Sequence, residues 1–324
     1  MGKVLELESL EEPEKVDVIA AVDLGSLYHN ILRDFYKTLI GKRYFDTKTK
    51  EINPIELLHD ITQKYFTEIE QRIPIPYPTL WEIKKEEILT FLIRFITWDL
   101  EHIEQTGYVP TYLERSVKLC SQDNLLKLIP ICVAQGESSR IRLKGKLDRI
   151  DLKVRQDVTN FRVVDYKSGK FSKENLIRSA VRGQKLQLPF YIIMAEHLLS
   201  EQIKKGRIPQ GRANMEDAFF VYIAQDRTDK KGQKDIPAHT IKGNDWNDFQ
   251  EQYWETVKEF LQYIREGMFP ISPTEDTQKC EWCEFATTCR RGHQPLRFRL
   301  EQDARLKKYR DILKTDVNKK SNKT

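Results

Sequence analysis

The feature that most constrains the fold is a pair of strand-like runs, Ile141 to Leu152 and Phe161 to Lys167, separated by the turn-prone stretch KVRQDVTN. An isolated hairpin is marginal in water, so these runs must belong to a larger sheet with a covered face. Tyr112 to Leu119 supplies a third alternating run, and AFFVYIA at Ala218 to Ala224 reads as a strand buried on both faces. Helical periodicity surrounds them. Asp23 is a candidate cap for a helix carrying Leu24, Leu27, Tyr28, Ile31, Leu32, Phe35 and Leu39, with His29 on the flank of that stripe. Ile55 to His102 stays helical except at IPIPYP, Ile73 to Pro78, and is closed by Gly107 and Pro110. Further helices are expected at about Leu186 to Leu199 and from Asp245 to Arg265, the latter ended by Gly267. Helices, a run of strands, then helix, strand and helix describe an α/β protein with a mixed central sheet flanked by helices.

The expected division is an acidic leader at 1–22, a helical region at 23–110, a sheet-containing core at 111–268, a cysteine-bearing segment at 269–293 and a basic tail at 294–324. With 324 residues, 40% of them hydrophobic, the chain can bury a real core. Arg94 interrupts the apolar run Phe91 to Leu100, and Leu188 to Ala195 is short, so no membrane association is expected. The start MGKVLELESLEEPEK has no apolar signal core, which makes the cytoplasm the expected location. The net charge of +5 says little about partners, but Pro295 to Thr324 holds ten Lys/Arg against four Asp/Glu. A solvated helix accounts for that tail; contact with phosphates is the alternative.

In FRVVDYK, alternation sends Asp165 and Lys167 to one side of the strand and Val164 and Tyr166 to the other. Taken alone, this is a same-face ion pair at a sheet edge. GKLDRID, however, places Asp148 seventeen residues before Asp165, a separation that suits adjacent strands joined by a turn. Two converging carboxylates repel unless a cation lies between them, and hard oxygen donors select Mg²⁺ or Mn²⁺. Lys167 beside such an ion can orient a water for in-line attack on a phosphate. Gln187 and Tyr191, four apart, share a helix face. Asp151 is expected to pair with Arg149, and Glu114 in TYLERSV reads most simply as an exposed strand glutamate.

These blocks, in order, resemble the PD-(D/E)xK nucleases, within them the RecB/AddB group that includes the CRISPR-associated RecB-like exonucleases. LGSLYH at Leu24 to His29 looks like the family's first motif, GKLDRID like the second, VVDYKSG at Val163 to Gly169 like the signature segment and LQLPFY at Leu186 to Tyr191 like the last. The resemblance spans about Leu5 to Arg290. It implies a restriction-endonuclease-like sheet with a helical insert. It also implies His29, Asp148, Asp165 and the Tyr166 carbonyl as metal ligands, Lys167 as the catalytic lysine, and Gln187 and Tyr191 lining the site. Glu114 matches a frequently acidic position that would orient the attacking water.

Cys280, Cys283 and Cys289 stand as C-x2-C-x5-C, a spacing that points to a bound metal centre rather than a disulfide framework. The surrounding segment resembles the carboxy-terminal end of the AddB-type nuclease domain, whose [4Fe-4S] cluster uses a fourth cysteine upstream of the histidine motif. No cysteine precedes His29 here. The fourth ligand lies before the start of this chain, is Cys120 or Cys132, or is His293 in a Zn²⁺ knuckle; otherwise Cys120 and Cys132 are small buried hydrophobes.

The expected function is that of a Mg²⁺- or Mn²⁺-dependent DNA exonuclease acting on single-stranded or unwound ends in recombination and repair. Lys144, Lys146, Lys170, Lys173, Arg178, Arg182 and Lys185 flank the proposed site and could hold the DNA backbone. No G-x4-G-K-[ST] element is present, so a helicase on another chain or another part of a longer one is the expected partner. The alternative is a non-catalytic DNA-end binding or scaffold module beside a helicase.

Overall fold

The structure is a computed structural model that describes residues 19–46, 52–120, 142–155, 158–171, 173–209, 211–225, 227–228, 234–236, 238–269, 289 and 293–315. Its first helix, α1 (Ala21–Gly41), begins two residues ahead of Asp23. Ala20 is the cap and provides no side-chain hydrogen bond, so the expected capping role of Asp23 is not seen. The carboxylate instead sits in the first turn, where the helix dipole favours it, and pairs with Arg72 at 3.1 Å. Asn53 does cap α2 (Pro54–Arg72), its Oδ1 accepting the Ile55 amide at 3.1 Å, with Pro54 in the first turn. The IPIPYP break separates α2 from α3 (Pro78–Thr106), and Gly107 ends α3 in the left-handed conformation.

Five strands form the main sheet: β1 (Val109–Cys120), β2 (Arg142–Arg155), β3 (Val158–Lys167), β4 (Arg212–Tyr222) and β7 (Ala238–Lys242), side by side in that order. All neighbours are antiparallel except β3 and β4, which run parallel. The crossover between those two carries α4 (Leu176–Val181) and α5 (Gln187–Lys204), as a parallel connection requires. A two-residue ladder, β5 (Arg227–Thr228) with β6 (Lys234–Asp235), precedes β7, and α6 (Gly243–Arg265) follows it. The hairpin is tighter than KVRQDVTN suggested. Lys153 pairs with Asn160, Val154 with Thr159 and Arg155 with Val158: the β-branched Val154, Val158 and Thr159 favour the extended ladder, and its hydrogen bonds carry Lys153, Arg155 and Asn160 along.

The sheet lies between two helical layers. Val164, Tyr166, Val221 and Ile223 pack with α1, α2 and α3, while Phe161, Val163, Ala218 and Phe220 pack with α4, α5 and α6. β1 and β2 depart from simple alternation. Tyr112 and, further along, Val117 and Leu119 all face the α5–α6 layer, as do both Leu147 and Ile150. Residues of even and odd number cannot share a face along a regular strand, so both strands turn over, β1 between Leu113 and Val117 and β2 between Leu147 and Ile150. Glu114, inside the first interval, has φ +50°, and the register continues unchanged across it, from Tyr112↔Ile150 to Arg115↔Leu147.

Beyond the cysteine segment, α7 (Gln294–Gln302), a 3-10 turn (Ala304–Leu306) and α8 (Lys307–Lys314) follow. Neither helix buries a residue, in keeping with a solvated tail, but Leu306 is buried and Tyr263 donates to the Arg305 carbonyl at 3.0 Å. Gly183, in the link from α4 to α5, has φ +75°, and a Cβ there would meet the Phe260 ring at 2.1 Å. Gly183→Ala is expected to destabilise the protein by about 2–4 kcal/mol through left-handed strain and overpacking, read from the denaturant midpoint.

Candidate active site

Five elements meet where β1 and β2 turn over. Pairing of Leu113 with Arg149 and Arg115 with Leu147 sets Glu114 opposite Asp148. On the other side of β2, Asp148 lies one step beyond the last pair, Arg149↔Val164, and Asp165 one step further along β3. Three carboxylates thus stand in a row across three strands. His29 enters from α1, its Nδ1 3.3 Å from Asp148 and 3.5 Å from Glu114, and its Nε2 3.2 Å from the Tyr166 carbonyl oxygen. The Tyr166 amide donates to Asp148 at 2.9 Å. One donor atom from each of His29, Glu114 and Asp148 falls within 4.8 Å of the others.

A second chain of polar groups adjoins this one. Lys167 forms an ion pair with Asp165 and donates to Gln187 Oε1 at 2.9 Å, while the Gln187 amide donates to Asp165 and to the Tyr191 hydroxyl, both at 2.9 Å. The ammonium also lies 4.7 Å above the Phe220 ring on β4. Gln187 is the first residue of α5 and Tyr191 sits one turn on, so one helix end supplies both. The loop after Lys167 is fastened by Gln225, which accepts the Phe171 amide at 2.7 Å and donates to the Gly169 carbonyl at 2.9 Å.

Electrostatics mark the cluster. Burial, and next the charge of Asp148, push the Asp165 carboxyl up to about 7 against the pull of Lys167. Burial works against a charged His29, but hydrogen bonds to Asp148 and Glu114 with their charges outweigh it and raise the imidazole to about 10. Glu114 is held below the usual carboxylate range: His29 and Lys146 together overcome its burial. His29 Nδ1 stands between the two carboxylates, where positive charge relieves their repulsion. Imidazole, carboxylate and backbone carbonyl are a donor set suited to a divalent cation, with Asp165 one strand away.

The sites expected from sequence divide as follows. His29, Asp148 and the Tyr166 carbonyl come together, and Asp165, Lys167, Gln187 and Tyr191 form the adjoining chain. Glu114 is not the exposed strand glutamate expected: its side chain is 11% exposed, because the turnover of β1 aims it inward, where it contacts His29 and pairs with Lys146. Asp151 holds Arg149 by two hydrogen bonds of 2.6 and 2.7 Å. Cys280, Cys283 and Cys132 lie outside the described residues, as does the side chain of Cys120; Cys289 is exposed. Asp99 and Tyr36, which complete a buried cluster around Arg149, were not anticipated. The signal was present, since Asp99 interrupts the apolar stripe of Phe95, Ile96 and Ile103 on α3.

A family model described as the PD-(D/E)XK nuclease superfamily matches residues 3–290, and the chain belongs to that superfamily. Among curated relatives, it is similar to an ATP-dependent helicase/deoxyribonuclease subunit of Clostridium botulinum (strain Loch Maree / Type A3), 23% identical over 328 residues that cover 85% of this chain and 28% of the relative. The protein of the same name from Thermoanaerobacter sp. (strain X514) is 26% identical over 220 residues, 66% of this chain and 18% of the relative. That from Alkaliphilus metalliredigens (strain QYMF) is 27% identical over 192 residues, 57% and 15% respectively. The chain spans less than a third of the length of each of these relatives. No helix among the described residues is long and apolar enough to cross a membrane.

Proposed function

We propose that this chain is a divalent-cation-dependent DNA nuclease that hydrolyses phosphodiester bonds, acting as an exonuclease on single-stranded or unwound ends in recombination and repair. The observation that carries the reading is the convergence of His29, Glu114 and Asp148 beside the Asp165–Lys167–Gln187 chain. His29, Asp148, Asp165 and the Tyr166 carbonyl would hold Mg²⁺ or Mn²⁺, with Glu114 adjoining. Bound there, the ion would neutralise the carboxylates and offset negative charge developing on the phosphoryl oxygens. Lys167, fixed by Asp165, Gln187 and the Phe220 ring, is the catalytic cation: it donates a hydrogen bond to the attacking water and orients it in line with the bond to be broken. Gln187 keeps that ammonium and the Asp165 carboxylate in register, and Tyr191 completes the wall.

The relatives' names support DNA as substrate and a helicase as partner, on another chain or elsewhere in a longer one. The spacing of Cys280, Cys283 and Cys289 supports a further metal centre, a [4Fe-4S] cluster in our reading; a brown colour with absorbance toward the blue end, and iron rather than zinc on metal analysis, is the expected result.

The decisive experiment incubates end-labelled linear DNA with the protein and Mn²⁺, and repeats it with Asp148→Asn. Progressive loss of label that needs the cation, lowered at least about 100-fold by the substitution, is expected. Binding of DNA ends without cleavage would favour the scaffold module instead.

A further inference from the structure

Behind the proposed metal site lies a cluster that none of the chemistry above uses. Arg149, next to Asp148 on β2, is 1% exposed and points to the α1–α3 side of the sheet. Each of its five N–H donors is engaged: two reach Asp99, two reach Asp151 and one reaches the Tyr166 hydroxyl at 3.3 Å. Its guanidinium lies 4.6 Å from the centre of the Tyr36 ring, and the Tyr36 hydroxyl donates to Asp99.

The membership of this cluster matches that of the site. Tyr36 is two helical turns after His29 on α1. Tyr166 sends its ring to Arg149, while its amide binds Asp148 and its carbonyl meets His29. Asp99 adds α3. One guanidinium therefore ties together α1, β2 and β3, which supply His29, Asp148 and the Tyr166 carbonyl.

Stability alone does not call for such an arrangement, since apolar side chains of similar volume hold packed elements at least as well as buried ions. Directional bonds do what apolar packing cannot: they set the rotation of α1 and the height of Tyr166 against Asp148. We propose that Arg149, with Asp99, Asp151 and Tyr36, is a positioning cluster that sets the geometry of the cation site from the opposite face of the sheet.

The inference rests on the proposed cation site, so the test reads cation binding directly. Mn²⁺ affinity is measured by titration for the full chain, for Arg149→Met combined with Asp99→Leu and Asp151→Val, and for Arg149→Lys, with melting curves and steady-state cleavage alongside. The triple variant leaves no unpaired charge, so its melting point should fall only by the cost of leaving the buried Tyr36 and Tyr166 hydroxyls without partners, yet it should bind Mn²⁺ about 10–100-fold more weakly. Its cleavage should fall in kcat, with KM for DNA little changed. Arg149→Lys, which keeps the charge but not the five-donor fork, should show the same losses to a lesser degree, and it decides the matter if the triple variant does not fold. Folded variants with parental Mn²⁺ affinity and kcat would overturn the inference alone. A parent that binds no Mn²⁺ would overturn the proposed function and this inference with it.

Discussion

Replacing Lys167 by alanine is expected to slow DNA cleavage by about 10²–10⁴-fold while Mn²⁺ binding stays at the parental level or tightens. The two halves have separate causes. Lys167 reaches Asp165 and Gln187 but does not belong to the group formed by His29, Glu114 and Asp148, so its loss removes no cation donor. Its ammonium competes with a cation for the Asp165 carboxylate but also lowers that carboxyl's pKa, so the expectation holds at a pH well above the carboxyl's own titration, where binding is measured and only the competition remains. Initial rates on labelled DNA and a Mn²⁺ titration, performed on the same preparation, measure both. A variant that cuts as fast as its parent would deny Lys167 any part in the chemistry.

Asp165→Asn should have opposite effects on activity and on the stability of the metal-free protein. The folded-state carboxyl is pushed up to about 7, above its usual 3.8, by burial and then by Asp148. A raised carboxyl pKa means that the folded state binds protons more tightly than the unfolded chain. Its contribution is therefore fully present below about pH 3.8 and is lost as pH rises toward 7. Asparagine mimics the protonated form and escapes that loss. In melting curves without metal, the advantage of Asp165→Asn over the parent should grow between about pH 4 and 7, reach a few degrees and then stay level. His29 does not cancel this trend: its raised pKa contributes stability that is fully present below about pH 6.5 and is lost progressively as pH rises from there to about 10, in parent and variant alike. With Mn²⁺ present the order should reverse, because the parent gains stability from the ion and the variant loses a ligand. Cleavage by the variant should fall at least about 100-fold. An advantage that shrinks with rising pH would show that Asp165 is not held in a repelling pair.

Local pattern was a sound guide to the elements that carry the site. Alternation in FRVVDYK separates Asp165 and Lys167 from Val164 and Tyr166, and the core memberships of Val163 and Val164 follow the same rule. Helical spacing put Gln187 and Tyr191 on one face, and they meet through a 2.9 Å hydrogen bond. Glu114 was less accessible to that reasoning. A regular strand would have kept its parity, but β1 turns over there at a positive φ, a conformation with no local glycine or turn sequence to announce it.

What the sequence determined by itself was therefore the order and kind of the elements that carry the site, though not β7, the β5–β6 ladder or α4, and the residue types offered at the ends of β2 and β3. These follow from backbone preference and from the period with which apolar side chains recur. Only the tertiary structure decided that β3 and β4 run parallel, that Glu114 turns in to meet His29, and that Asp99 and Tyr36 close on Arg149. Those contacts join residues 50 to 113 positions apart, as Asp99 is from Arg149 and Tyr36 from Arg149, and they depend on register and helix rotation. The physical reason is that a buried ion finds its partners only when the whole core has closed around it, and no local propensity encodes that closure.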